Sequence, residues 1–199
     1  ARFVVRSAAV PMTPISIGVD PCDREGAVVA IRAGCRVPVS LVAWWTRAPT
    51  KSRPAPERVV WGLGPRAAIE LVGDPCRVAS FVASDIRSRY VLPEFTAAVE
   101  GPSPKGKAGP VNLAHVAACG KPAGALEALR ISAPLVTPAV WRRHIGIRSQ
   151  RAGAKAVDAR VLAWARETFD LPADIPGPAM RSIPDALGVA WWALHRGEP

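Results

Sequence analysis

Three acids, Asp20, Glu100 and Asp185, each abut a segment that has to be buried. Asp20 closes the apolar run "ISIGVD", Glu100 closes "FTAAVE", and Asp185 stands at the head of "DALGVAWWAL". An ionised carboxylate at the end of a buried segment is costly unless a cation meets it. Three of them brought together would repel and raise one another's pKa. Hard divalent ions such as Mg²⁺ or Mn²⁺, which take oxygen ligands, remove that cost by absorbing the charge. Each acid also has a plainer reading. Asp20 before Pro21 suits a turn, Glu100 a surface strand end, and Asp185 the first turn of a helix, where the dipole favours a negative charge. Spacing alone leaves the joint and separate readings open.

The elements that would position these acids follow from pattern. "ISIGVD", "AVVAIRA" and "VPVSLVAWW" read as three strands of an antiparallel meander, the first two joined by the turn "PCDREG". Residues 46–65, rich in proline and basic side chains, read as an exposed connection. "PRAAIELVGDPCRVASFVASDIRSRY" reads as helical material broken at Gly73–Pro75, and "FTAAVEG" as a short buried strand. A glycine- and lysine-rich loop, "GPSPKGKAG", then leads to the helix "PVNLAHVAACGKPAGALEAL", with a kink expected at Gly120–Pro122. "ISAPLVTP" gives another short strand, and "AVWRRHIGI" and "AKAVDARVLAWARETF" give two helices. A last amphipathic helix is expected to begin near Pro184 with Asp185 in its first turn. Strands first and strands alternating with helices later predict an α/β fold with a mixed sheet. If the first strand is central and "FTAAVE" lies beside it, Asp20 and Glu100 project at one sheet edge. A helix across that edge brings Asp185 to them.

The chain of 199 residues suits one domain over 15–199 after an N-terminal extension of 1–14, too short and broken for a secretion signal. No apolar stretch approaches the roughly 18 residues of a membrane span. Cys22, Cys35, Cys76 and Cys119 form no CxxC pair, which favours free thiols in a reducing compartment. The formal net charge of +10 points to a polyanionic partner, of which nucleic acid is the commonest. That charge is concentrated: residues 101–160 carry 10 basic and 2 acidic side chains, whereas residues 161–199 carry 3 and 5. Phosphate contacts are therefore expected from Lys105, Lys107, Arg148 and Arg151. His115 suits a packed core or interface, His144 a phosphate contact, and His195 no catalytic role. The seven tryptophans suit core anchoring, with Trp141, amid arginines, the one exception expected as a stacking platform.

The ordered set "IGVDP…GAVVAI", "AAVEGP", "WRRHIGI" with a later lysine, and "PDALGVAWWAL" resembles the RuvC-type Holliday junction resolvases of the ribonuclease H-like nuclease fold. The resemblance spans roughly residues 15–195, and the pattern is closer to divergent phage and organelle-type members than to the standard bacterial enzyme. It implies a ribonuclease H-like α/β fold, a mixed five-stranded sheet flanked by helices. It also implies two Mg²⁺ (or Mn²⁺) ions per active site, with Asp20 bridging them and Glu100 and Asp185 each anchoring one. Lys155 matches a lysine near the scissile phosphate, and Arg142 or Arg143 another basic residue there. Ser182 stands where the family usually has a further Asp or His, and a hydroxyl is a poorer metal ligand. After Glu100, "GPSPKGK" offers Ser103 and lacks the aromatic residue of bacterial members.

The activity so implied is hydrolysis of four-way DNA junctions by paired symmetric nicks. Such a junction has near two-fold symmetry, which suits a C2 homodimer. The apolar face of the 110–129 helix is a candidate interface, and an ordinary core helix is an equal reading of the same face. Localisation would be cytoplasmic and DNA-associated, an organelle or a phage-infected host being the other settings. Three rivals stand beside this activity. One is a ribonuclease H-like nuclease acting on RNA–DNA hybrids, flaps or forks. Another is a junction-binding module without catalysis, suggested by Ser182. An actin-like ATPase would need two glycine-rich phosphate loops and a longer chain.

Overall fold

Ile15, Ile17 and Val19 alternate with Ser16 and Gly18, and residues 15–19 are all buried. That makes β1 (Pro14–Asp20) a central strand covered on both faces. The computed structural model describes residues 13–21, 25–50, 52, 55–63, 75–90, 93–102, 110–148 and 153–196, the side chains of 110–115 excepted. Antiparallel partners follow in a meander: β2 (Glu25–Arg32), β3 (Ser40–Arg47) and β4 (Glu57–Leu63). On its other side β1 pairs in parallel with β5 (Glu94–Glu100), which pairs in parallel with β6 (Leu135–Val136). The strand order is β4-β3-β2-β1-β5-β6.

The expected α/β fold with a mixed sheet is the one observed, but among the described residues the sheet has six strands where five were expected. The additional strand is β4, which lies inside the stretch read as an exposed connection. Prolines and basic residues at 46–56 dominate the composition there and conceal a short β-favouring core, Val59–Val60–Trp61. Val60 packs into the cluster on one face of the sheet, and Val59 and Trp61 into that on the other.

Helices cover both faces. α1 (Pro75–Arg89) and α2 (Pro110–Ala128) pack on the first, where Val78, Val82, Ile86, Cys119 and Leu126 meet Ile15, Ile17, Val19 and Trp44. α2 runs on through Pro122 as one helix, and Ala118, Cys119, Ala123 and Leu126 on it are buried. The described part of α2 is thus a core helix on that face. The second face carries α3 (Pro138–His144), α4 (Ala154–Thr168) and α5 (Ala179–His195). Among the described residues no helix is long and apolar enough to cross a membrane.

α5 begins at Ala179 rather than near Pro184, so Asp185 lies two turns in and its first turn holds no acid. The dipole account of Asp185 therefore falls. Proline is best tolerated in the first turn because it lacks an N–H; here it sits sixth. The burial of Ile183, Ala186, Leu187 and Ala190 against the sheet keeps the chain helical through it.

Candidate active site

In the β1–β5 register Val19 lies beside Val99, so the next residues, Asp20 and Glu100, sit side by side where two parallel strands end. Parallel pairing sends both carboxylates to the same edge. Val19 and Val99 face α1 and α2. With a side-chain period of two, Asp20 and Glu100 turn to the opposite face, that of α5.

α5 reaches these strand ends because Gly18 has no side chain. A Cβ at Gly18 would collide with the Ala186 carbonyl oxygen and the Ala190 backbone nitrogen. Glycine lets the helix lie directly on the strand, two residues before Asp20, and Asp185 directly precedes the residue touched. Asp20, Asp185 and Ser182 line one open cavity of about 370 Å³, together with Glu25, Asp158, Ala159, Leu162, Met180, Arg181 and Pro184. Ser182 is buried, one helical turn before Asp185.

Two consecutive residues of α3 hold two of the acids. The Trp141 indole Nε1–H donates to Glu100 Oε2 at 2.9 Å. The Arg142 Nη2 group donates to Asp185 Oδ2 at 3.1 Å and lies 4.0 Å from Asp158 Oδ1. Burial pushes the Glu100 carboxyl up to about 7, helped by the negative charge of Asp185 and opposed by the Trp141 hydrogen bond and by Arg142. Burial likewise lifts Asp185 to about 6; Arg142 opposes this and Asp158 adds to it. Among the described residues, however, no group of three or more His, Cys, Asp or Glu side chains is gathered tightly enough to hold a metal ion. The donors suit a hard divalent cation in kind: carboxylates on two strand ends and a helix, two of them raised chiefly by burial. The residues present therefore fit such an ion chemically, with Arg142 now supplying the positive charge beside Asp185.

The remaining expected residues distribute as follows. Lys155 is exposed on the first turn of α4, at helical spacing from the cavity-lining Asp158, Ala159 and Leu162. Arg143 and Arg148 are exposed. Lys105, Lys107, Ser103 and Arg151 lie outside the described residues, as does the side chain of His115. Arg142, expected at DNA, is half-buried against Asp185. Trp141 is no stacking platform: it is fully buried, and its ring fills space that a Cβ on Gly188 would take, 2.5 Å from the ring carbons. His144 and His195 stand with ring centroids 6.3 Å apart, and His195 packs 4.2 Å from the Trp191 ring. Cys35, Cys76 and Cys119 form no disulfide, Cys119 being the buried one of the three, and Cys22 lies outside the described residues.

Sequence reasoning passed over Asp158 and the grip of Trp141 on Glu100. The signal for Asp158 was its position three residues after Lys155 on a helix, which puts both on one stripe. The Trp141 bond had no local signal, because it joins residues 41 apart.

No family model matches the chain, and no curated protein matches it. Among solved structures it is similar to Thermus thermophilus RuvC in complex with Holliday junction substrate, at 14% identity and a TM-score of 0.48, over 92% of this chain and 96% of that one. It is also similar to a second Thermus thermophilus RuvC structure, at 17% identity and a TM-score of 0.45, over 90% of this chain and 95% of that one.

Proposed function

We propose that the chain is a divalent-metal-dependent endonuclease that cuts branched DNA, with four-way junctions as substrate and paired symmetric nicks as product. The observation that carries this reading is the pairing of β1 and β5, which sets Asp20 beside Glu100 under the helix that bears Asp185. The motif order along the chain supports the same reading. Mg²⁺ or Mn²⁺ would supply an activated water and stabilise the leaving 3′-oxygen. Asp20, Glu100 and Asp185 would hold the ions, with Ser182 a weaker oxygen donor beside them. Lys155, one turn from the cavity, would offset charge on the scissile phosphate, since phosphoryl transfer rests mainly on positioning and electrostatics. Lys105, Lys107, Arg143, Arg148 and Arg151 would grip the backbone without reading sequence. A C2 homodimer would place two such sites on a junction.

The test is Mg²⁺-dependent cleavage of an immobile four-way junction, with the nicks mapped on denaturing gels. Symmetric paired nicks by the wild-type chain, and junction binding without cleavage by Asp20→Asn, are expected. Undiminished cleavage by Asp20→Asn would refute the assignment. A second reading, a junction-binding module without catalysis, is favoured by the hydroxyl at Ser182. It expects tight binding and no Mg²⁺-dependent product from the wild-type chain.

A further inference from the structure

Helix α3 spans only seven residues, yet its Trp141 and Arg142 each engage a different acid of the candidate site. The two side chains are also joined to each other, the Arg142 guanidinium carbon lying 5.0 Å from the centroid of a Trp141 ring. Trp141 is fixed from behind by the close approach of Gly188 on α5, the helix that carries Asp185. The Arg142 Nε atom is buried without a hydrogen-bond partner, so the guanidinium is not fully satisfied where it stands. A guanidinium with five donors rarely leaves a buried one unused unless a better acceptor is absent.

We infer that Trp141 and Arg142 form a clamp. Trp141 is the positioning residue that aims the Glu100 carboxylate, and Arg142 is an exchangeable cation holding Asp185 until a divalent ion displaces it. Asp185 Oδ2 cannot serve both cations fully, so Arg142 and the metal compete for it. Released from Asp185, the guanidinium keeps its neighbours Asp158 and Trp141 and is free to meet a phosphate oxygen. The clamp deepens the nuclease reading, on which its use of Asp185 as a ligand rests.

Calorimetric titration of the chelator-stripped full chain with MnCl₂ tests it without any need for cleavage. Arg142→Gln removes the competing charge and is expected to bind Mn²⁺ about tenfold more tightly. Arg142→Lys, which keeps a cation, is expected near the wild-type affinity. Trp141→Phe keeps the packing and loses the N–H, and is expected to bind about tenfold more weakly, as loss of a ligand's supporting hydrogen bond does. Affinities of Arg142→Gln and Trp141→Phe equal to wild type would overturn the clamp, as would a wild-type chain that binds no Mn²⁺. The two proposals fail separately. Wild-type junction cleavage with unchanged Mn²⁺ affinities in the variants sinks the clamp alone. The expected affinity shifts in a chain that cuts no junction sink the nuclease reading alone.

Discussion

Glu100 stands where burial and a like-charged neighbour act in the same direction, and both push its carboxyl up to about 7. A folded-state value above the unfolded one means the native chain binds more protons than the unfolded chain between pH 4.5 and 7. Metal-free stability should therefore fall as pH rises through that window, by up to about 3 kcal/mol from this group. Asp185, lifted from 3.8 to about 6, adds to the fall at the lower end. Urea unfolding in chelator at pH 5 and pH 7.5 measures the effect. Glu100→Gln should flatten the profile, and a profile as steep as wild type would show that Glu100 is not its source. Added Mg²⁺ should recover stability at pH 7.5 in the wild-type chain and less so in Glu100→Gln, because an ion bound only by the folded state stabilises it.

At the level of elements, the contact of α5 on β1 decides whether the acids meet. Gly18 is the point of closest approach, and Ala186 and Ala190 are the small helix residues facing it. Gly18→Ala should force strand and helix apart at a cost of about 1–3 kcal/mol. Thermal unfolding should show a lower midpoint while far-UV circular dichroism stays near wild type. Junction cleavage should fall more steeply than junction binding, since the displaced helix carries Asp185. An unchanged midpoint would mean that α5 does not seat on Gly18. Trp44, among the largest fully buried side chains, anchors the opposite face, and Trp44→Ala should cost about 3–5 kcal/mol in the same measurement.

Over the whole molecule, the charge separates from the chemistry. Along the sequence the net +10 is concentrated in residues 101–160, whereas the cavity is lined by Asp20, Glu25, Asp158 and Asp185 with Arg181. A net positive chain draws in a polyanion, and a cavity lined mostly by acids stays attractive to cations. Affinity for a four-way junction should fall log-linearly with KCl, and Arg148→Ala or Lys155→Ala should each reduce the slope by about 1. Fluorescence anisotropy between 50 and 300 mM KCl, a range set by the same counterion argument, reads this directly. A slope near zero would remove nucleic acid as the partner.

Local order fixed much of this molecule in advance. The strand β1 and its terminal Asp20, the strand β5 and its terminal Glu100, the meander and the amphipathic α5 all follow from side-chain period, turn residues and apolar runs, which depend on near neighbours. Their convergence was expected, conditional on β1 being central. Three things lay beyond local order. The strand β4 was concealed by its proline-rich flank, because its stability comes from pairing with β3 rather than from its own composition. The start of α5 moved because core packing outweighed a proline's preference for a first turn. The grip of Trp141 on Glu100 and of Arg142 on Asp185 joins residues some 40 positions apart. No periodicity encodes such a contact, since it exists only once β5, α3 and α5 have been packed together.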